Sequence, residues 1–266
     1  LWDLIQNGPV EDLNQTDKTQ PALLTAGVAL WRLWQEQGGA KPALMAGHSL
    51  GEYTALVCSG AISFADGVNL VKQRGEFMQQ AVPAGTGAMA AILGLDDASI
   101  EKACQEAEEG DVVSPVNYNC PGQIVIAGQK AAVERAITNC KEAGAKRAVP
   151  LPVSVPSHCA LMKPAAEKMA EQLAKIEISM PEISVIQNVT ASAAASVDEL
   201  KDNLLQQLYS PVLWTKSVQS MVDQGIESTV ECGPGKVLSG LNKKVHKPLS
   251  VAAISDAAGL TKALAQ

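Results

Sequence analysis

The sequence has few aromatic residues and little positive charge. Phe, Trp and Tyr make up 3% of its 266 residues, and 21 Lys and Arg against 28 Asp and Glu give a formal net charge of −7. Binding to nucleic acid needs a cationic surface for the phosphates and, for single strands, aromatic side chains on which bases stack. We therefore expect no nucleic-acid partner, although a local basic patch is compatible with this composition.

The chain also lacks long apolar runs and paired cysteines. Its apolar stretches are broken by Pro, Gly or charged residues before the roughly 18 residues that span a bilayer, and no basic-then-apolar leader opens the sequence. The six cysteines show no CxxC spacing, and a chain of this length does not need disulfides to be stable. These features predict a cytoplasmic protein with free thiols and no membrane partner.

Two patterns of secondary structure divide the chain. Both ends show longer helices alternating with short apolar strands, a pattern typical of an α/β domain with a parallel sheet. Between them, the order β-α-β-β-α-β indicates a ferredoxin-like unit. We predict a hydrolase-like α/β core of residues 1–83 and 155–266, with a ferredoxin-like small subdomain of residues 84–154 inserted into it. In the core, a helix is predicted from Pro21, as its first residue, to Gln37.

The segment Gly47-His48-Ser49-Leu50-Gly51 lies between a predicted strand at residues 42–46 and a predicted helix that begins at Leu50. In a G-x-S-x-G turn the serine is a nucleophile, and the glycines relieve steric clashes in the tight backbone. The helix start also places the Leu50 N–H where an oxyanion would develop. The alternative is a glycine-rich turn without chemistry, and the strand-to-helix context favours the nucleophile.

A serine hydroxyl needs a general base, and histidine has the suitable pKa. The sequence has three histidines. His48 adjoins Ser49 and points elsewhere in a sharp turn, so it is structural or lines the cleft, and His246 lies among lysines near a helix end, as on a solvated basic face. His158 lies in a loop between the two predicted units, which favours it as the base over a buried structural histidine. Spacing does not select a third member, and the three histidines show no metal-ligand spacing.

Five short segments, taken in order, resemble the malonyl-CoA:acyl carrier protein transacylases, the stand-alone enzymes of bacterial type II fatty-acid synthesis. The segments are Gly47-His48-Ser49-Leu50-Gly51-Glu52-Tyr53, Gln73-Arg74-Gly75, Asn117-Tyr118-Asn119, Pro156-Ser157-His158 and Gly233-Pro234-Gly235-Lys236-Val237-Leu238. The resemblance implies transfer of a malonyl group from malonyl-CoA to the phosphopantetheine thiol of acyl carrier protein through a malonyl-serine intermediate. It implies malonyl-CoA as substrate and no cofactor, and we expect a monomer.

The resemblance also implies roles for individual residues. Ser49 matches the acylated serine and His158 its base, in agreement with the choices made above. The family orients this histidine through a backbone carbonyl, and Gln207 is the matching position, so that no carboxylate is needed. Leu50 keeps its role as an oxyanion donor.

Three further residues are expected to bind substrate. Arg74 matches the arginine that binds the free carboxylate of the substrate, a task that suits a planar guanidinium. Its alternative is a salt bridge on the surface of a helix predicted from about Asp66 to Gln80. Asn117 and His48 are expected to line the cleft, with a structural turn as the alternative for Asn117.

The carrier protein of such systems is acidic, so the resemblance implies a basic docking surface despite the net negative charge. Lys146 and Arg147, beside the insert, and Lys243 and Lys244, near the C-terminus, are the candidates. The alternative is that these four are ordinary solvated charges.

The resemblance departs from the family at the front of the chain. Family members begin with a strand and a Gly-Gln-Gly-Ser-Gln loop that supplies half of the oxyanion hole, and this segment would fall before Leu1. We expect the chain as written to keep only the Leu50 donor, and loss of one such donor costs on the order of 10²–10³ in rate. The alternatives are a serine esterase or thioesterase, and an inactive fragment that binds acyl carrier protein.

Overall fold

The chain folds into alternating helices and short strands. The computed structural model describes residues 1–153 and 155–265. The helices are α1 (Trp2–Asn7), α2 (Val10–Leu13), α3 (Thr16–Glu36), α4 (Leu50–Cys58), α5 (Phe64–Ala81), α6 (Asp97–Ala107), α7 (Lys130–Glu142), α8 (Lys163–Leu173), α9 (Val197–Tyr209), α10 (Trp214–Asp223), α11 (Val237–Val245) and α12 (Ala257–Leu264). The strands are β1 (Leu44–Ala46), β2 (Gly87–Leu93), β3 (Val113–Cys120), β4 (Gln123–Gln129), β5 (Arg147–Pro150), β6 (Ser184–Ile186), β7 (Ser228–Glu231) and β8 (Ser250–Ala253).

The core built from the two ends of the chain contains two parallel strand pairs. β1 pairs with β6, and β7 pairs with β8. The largest buried apolar cluster lies among α3, α4, α5, α8 and α9, around side chains such as Tyr53, Leu70 and Met169. β6 ends at Ile186. The amide of Gln187 then donates to Glu52 Oε1, and the amide of Asn188 bonds to the backbone of the Ser49 turn.

The inserted unit is a four-stranded antiparallel sheet with strand order β3-β4-β2-β5 and the helices α6 and α7. It buries its own apolar cluster, which includes Ile92, Ile100 and Ile126. The predicted fold class, an α/β core with an inserted ferredoxin-like subdomain, is confirmed. The boundaries at residues 84 and 154 stay a prediction, and residues 154 and 266 lie outside the described residues.

Main-chain hydrogen bonds join the insert to the core. The Tyr118 N–H donates to the Val212 carbonyl oxygen at 3.0 Å, and the Val212 N–H donates to the Val116 carbonyl oxygen at 2.8 Å. The Thr215 hydroxyl donates to the Tyr118 carbonyl oxygen at 3.0 Å. β3 is therefore fixed against the segment that precedes α10, and Asn117 lies between the two main-chain bonds.

The prediction that α3 starts at Pro21 is wrong, because the helix begins at Thr16. The first turn of α3 carries no apolar stripe. This turn is ordered by its packing against α5. A Cβ on Gly75 would lie 2.6 Å from Asp17 Cα and 2.7 Å from the Thr16 carbonyl oxygen, so the two backbones approach closely only because residue 75 is glycine. This contact places the start of α3 beside Arg74.

All six cysteine thiols are free, as predicted. Among the described residues, none of the helices combines the length and the apolar character that crossing a bilayer would require.

Candidate active site

Ser49 lies in the turn between β1 and α4 with φ 53° and ψ −108°. Residues other than glycine rarely adopt a positive φ, so the backbone of Ser49 is strained. Neither flanking glycine has a positive φ, and a Cβ on Gly51 would meet no atom within 4 Å, so the expected relief of a steric clash applies to Gly47 alone. A Cβ on Gly47 would lie 2.0 Å from the carbonyl carbon and oxygen of Gly51, so Gly47 permits a close approach while the strain is carried by Ser49.

Asn188, which was not among the predicted site residues, spans this turn. Its Oδ1 accepts the Ser49 N–H at 2.6 Å, and its Nδ2 donates to the Gly47 carbonyl oxygen at 2.7 Å. The side chain is buried, with 1% of its surface exposed. The available signal was a polar pair, Gln187-Asn188, directly after a buried strand, which is where binding residues gather in parallel sheets.

His158 contacts Ser49 directly. Its Nε2 lies 2.8 Å from Ser49 Oγ, and its Nδ1 lies 2.6 Å from the carbonyl oxygen of Gln207. Because a carbonyl only accepts, Nδ1 carries the hydrogen and Nε2 is left to accept the serine proton. The His158 N–H also donates to the Leu208 carbonyl oxygen at 3.0 Å, so the last turn of α9 holds both the ring and the backbone.

Burial lowers the pKa of His158 from 6.5 to about 3, and the charge of Arg74 lowers it further, while the Gln207 carbonyl raises it. The imidazole is therefore neutral near pH 7 and available as a base. No carboxylate hydrogen-bonds to it among the described residues. The carbonyls at a helix C-terminus have no partner within the helix and carry partial negative charge, so the end of α9 takes the place of an acid.

Arg74 is buried on α5, with 1% of its surface exposed. Its Nη2 donates to Ser49 Oγ at 3.1 Å and to Gln207 Oε1 at 2.9 Å, and its Nη1 donates to Gln20 Oε1 at 2.7 Å. The guanidinium lies 5.3 Å from the centre of the Tyr53 ring. Among the described residues it forms no salt bridge and its Nε has no hydrogen-bond partner, so the alternative of a surface ion pair does not describe it.

His48 and Asn117 lie at the junction of the core and the insert. His48 Nε2 donates to Asn119 Oδ1 at 2.8 Å, and its ring packs at 5.6 Å against that of Trp214. The buried Oδ1 of Asn117 has no hydrogen-bond partner among the described residues. Asn119, which was not among the predicted site residues, contacts the turn through His48.

The four candidate basic residues are exposed, and three of them are brought close together. Arg147 pairs with Leu93 across the sheet, and Leu93 pairs with Gln123, which places the Cα atoms of Arg147 and Gln123 about 10 Å apart. Lys244 Nζ lies 3.4 Å from Gln123 Oε1, and the Lys146 side chain lies over Gly94 at the same end of the sheet.

Lys243 lies next to this group on α11. Its Nζ donates to the Leu249 carbonyl oxygen at 2.9 Å. Gln123 pairs with Cys120, which follows Asn119, so the basic group lies at the end of the sheet that contacts the Ser49 turn.

A serine at a strained strand-to-helix turn, bonded to a neutral buried histidine, defines an enzyme that transfers acyl groups through an acyl-serine. The comparisons agree with this class. The chain belongs to the acyl transferase domain family, whose model matches residues 1–261, and the predicted resemblance is confirmed by relatives named malonyl CoA-acyl carrier protein transacylase.

Two of these relatives come from Salmonella typhimurium and Escherichia coli. The first is 63% identical over 266 residues, which is 100% of this chain and 86% of the relative. The second is 63% identical over 264 residues, which is 99% of this chain and 85% of the relative.

Solved structures are also similar. An acyl carrier protein S-malonyltransferase from Vibrio cholerae matches with a TM-score of 0.96 and 61% identity over 98% of this chain and 85% of that one. A malonyl-transacylase in complex with its type II PKS acyl-carrier protein matches with a TM-score of 0.98 and 56% identity. The match covers 99% of this chain and 85% of that one.

The buried neutral state of His158 predicts a pH-dependent difference in stability. The pKa of His158 is 6.5 in the unfolded chain and about 3 in the folded one, so between these pH values only the unfolded chain takes up the proton. The contribution of the neutral histidine to the free energy of unfolding is therefore complete above pH 6.5 and decreases as the pH falls. The free energy of unfolding of the parent chain should therefore fall relative to that of His158→Gln between pH 7 and 5. The slope should approach 1.4 kcal/mol per pH unit, its limit for one proton. Urea unfolding at several pH values measures it, and a constant difference would contradict the assignment.

Proposed function

We propose that this chain transfers a malonyl group from malonyl-CoA to the phosphopantetheine thiol of acyl carrier protein through an ester on Ser49. One observation carries the proposal: Ser49 Oγ lies 2.8 Å from the Nε2 of the base His158 and 3.1 Å from the Nη2 of the buried cation Arg74. A nucleophile, its base and a cation suited to a carboxylate therefore meet at one point. The names of the relatives agree with this substrate and this partner.

The first half of the reaction acylates the enzyme. His158 Nε2 takes the Ser49 hydroxyl proton while Oγ bonds to the thioester carbonyl carbon. The carbon–sulfur bond then breaks, and the proton on His158 passes to the CoA sulfur. The Leu50 N–H, at the start of α4, is positioned to donate to the oxyanion of the tetrahedral intermediate, and no acceptor within the described residues occupies it.

The second half releases the malonyl group. The thiol of the carrier protein gives its proton to His158 and attacks the ester carbonyl, and the carbon–Oγ bond breaks as Ser49 regains a proton. Side chains and backbone N–H groups of the chain supply this acid–base and nucleophilic chemistry, so we propose no cofactor. Alternation of two thioesters around one ester gives ping-pong kinetics.

Arg74 is proposed to bind the free carboxylate of the malonyl group. A buried guanidinium without an ion partner favours an anionic ligand, because an unpaired charge in a dry site is costly. Its unpartnered Nε and its singly bonded Nη1 retain N–H groups that can donate to carboxylate oxygens. A serine esterase for neutral esters would have no use for this group, which favours the transferase over the hydrolase.

The carrier protein is proposed to dock on the basic group formed by Lys146, Arg147, Lys243 and Lys244. Lys146 and Arg147 lie at the end of the insert that contacts the Ser49 turn, and Lys243 and Lys244 lie on α11, from which Lys244 reaches Gln123 of the insert. This position is the one expected for a partner that delivers a thiol to Ser49. We propose that His48 and Asn117 line the path of the phosphopantetheine arm.

Incubation with malonyl-CoA followed by intact-mass measurement tests the acyl-enzyme. The parent chain should gain one malonyl group, and Ser49→Ala should gain none. Ser59→Ala, which changes a buried serine on the C-terminal side of α4, is the matched control and should still be acylated. An adduct that persists in Ser49→Ala would refute the proposed nucleophile.

Replacement of Arg74 should change which acyl group is accepted. Arg74→Ala removes the donors for the carboxylate, so acylation by malonyl-CoA should fall at least about tenfold, while acylation by acetyl-CoA should rise relative to it. Single-turnover acylation with each thioester measures the ratio. Arg135→Ala, in the insert, is the control, and an unchanged malonyl-to-acetyl ratio in Arg74→Ala would contradict the assignment.

Charge reversal should weaken delivery to the carrier protein. With enzyme acylated beforehand, Arg147→Glu/Lys244→Glu should slow transfer at subsaturating carrier by about tenfold and flatten the dependence of the rate on salt, because surface charges act mainly on the association rate. Lys175→Glu, on the C-terminal side of α8, should transfer at the parent rate. Equal rates for all three proteins would exclude docking at this surface.

A further inference from the structure

Glu52 lies on α4 three residues after Ser49, and its side chain is completely buried. Its Oε1 accepts from Gln187 Nε2 at 3.2 Å, and its Oε2 accepts from the Asn188 N–H at 2.8 Å and from Gln207 Nε2 at 2.9 Å. Within the described part of the chain, the carboxylate forms no salt bridge and no hydrogen bond to Ser49 or His158. The mechanism above therefore does not use it.

The first connection from Glu52 to the site runs through Asn188. The Asn188 backbone N–H is held by Glu52, and its side chain bridges the Ser49 N–H and the Gly47 carbonyl oxygen. The Leu213 N–H donates to the Asn188 carbonyl oxygen at 2.9 Å, so this backbone is fixed on both sides. Displacement of Asn188 would release the N–H of the strained serine.

The second connection runs through the side chain of Gln207. Its Nε2 donates both to Glu52 Oε2 and to the Ser49 carbonyl oxygen at 3.0 Å, which leaves Oε1 to accept from Arg74 Nη2. Two acceptors on one side and a donor on the other determine the orientation of the amide. If the acceptor at residue 52 were lost, the amide could turn and present N–H groups to the guanidinium.

The ionised form of Glu52 has specific support in this environment. Burial raises its pKa to about 7, whereas the three N–H donors and the nearby charge of Arg74 lower it. A protonated carboxyl would face donors only, and its own hydrogen would lack an acceptor among them. A buried carboxylate is costly compared with an apolar side chain of similar volume, so its position calls for a role other than stability.

We propose that Glu52 is a positioning residue whose carboxylate, through Asn188 and Gln207, fixes both the backbone of Ser49 and the guanidinium of Arg74. One buried group then sets the nucleophile and the carboxylate-binding cation relative to each other. This inference rests on the proposed function for its substrates, whereas the alignment of Ser49 is independent of them.

Glu52→Gln tests the inference with little change in volume. The substitution removes the negative charge, so the bonds from the Asn188 N–H and from Gln207 Nε2, which Oε2 accepts in the parent chain, lose their charge assistance even where the amide oxygen takes that place. The amide N–H group then faces Gln187 Nε2, which is also a donor. Acylation by malonyl-CoA in single turnover should slow at least about tenfold, since a displacement of about 1 Å in a catalytic group is enough for such a loss. The malonyl-to-acetyl ratio should also fall several-fold, and combining Glu52→Gln with Arg74→Ala should lower that ratio no further than Arg74→Ala alone.

A serine-directed fluorophosphonate supplies a measurement that needs no malonyl substrate. Its rate of reaction with Ser49 should be lower in Glu52→Gln than in the parent chain, because the reagent reports the alignment of Ser49 with His158. If the parent chain reacts with the fluorophosphonate but not with malonyl-CoA, the proposed function fails and the positioning role is still tested by this rate.

Asn203→Ala is the matched control. Asn203 belongs to the same buried polar cluster and donates to Gln187 Oε1 at 2.7 Å, but it does not bond to Glu52. It should lower the melting temperature without changing the malonyl-to-acetyl ratio. Glu52→Asp keeps the charge on a shorter side chain and should give a ratio between those of Glu52→Gln and the parent, and it replaces Glu52→Gln if that variant does not fold.

The inference is overturned if folded Glu52→Gln, or Glu52→Asp in its place, keeps the parent ratio and the parent rate with fluorophosphonate. It is also overturned if Asn203→Ala, at a comparable loss of melting temperature, shows the same fall in ratio, because the effect would then be one of stability.

Discussion

The left-handed backbone of Ser49 is the constraint on which the rest of the site depends. A non-glycine residue in this region costs of the order of 1–3 kcal/mol and persists only where its surroundings determine it. Here the N–H is taken by Asn188 and the carbonyl oxygen by Gln207 and by the first turn of α4. Because both ends of the residue are held, the Cα–Cβ bond has one direction, and Oγ lies within hydrogen-bonding distance of His158 and Arg74.

The base is oriented without an acid. The last turn of α9 presents two successive carbonyl oxygens, one to the ring and one to the backbone of His158. A carbonyl dipole fixes the tautomer as an aspartate would, but it adds no full negative charge to a site that must admit an anionic acyl group. That no carboxylate among residues 1–153 and 155–265 hydrogen-bonds to the histidine is therefore consistent with the buried cation beside the serine.

Local patterns in the sequence predicted local parts of the structure. The G-x-S-x-G turn, the order of elements in the insert and the choice of His158 follow from neighbours in the chain. Asn188 left only the weak local signal of a polar pair after a strand, and Glu52 left none, because their partners lie 139 and up to 155 positions away. Gln207 was found only through resemblance, since a backbone carbonyl leaves no mark on residue type. The start of α3 was misplaced because its first turn is ordered by the backbone of α5 and not by an apolar stripe.

The bridge between β3 and the segment before α10 has a consequence for sequence change. Its two bonds join main-chain atoms of Val116, Tyr118 and Val212, and any residue other than proline supplies the same N–H and carbonyl groups. The spacing of β3 and this segment is therefore set by main-chain bonds, and the side chains of Val116 and Val212 pack into the apolar clusters beside them. Substitutions at exposed positions nearby can therefore change the polarity around the site while the main-chain bridge between the insert and the core is preserved.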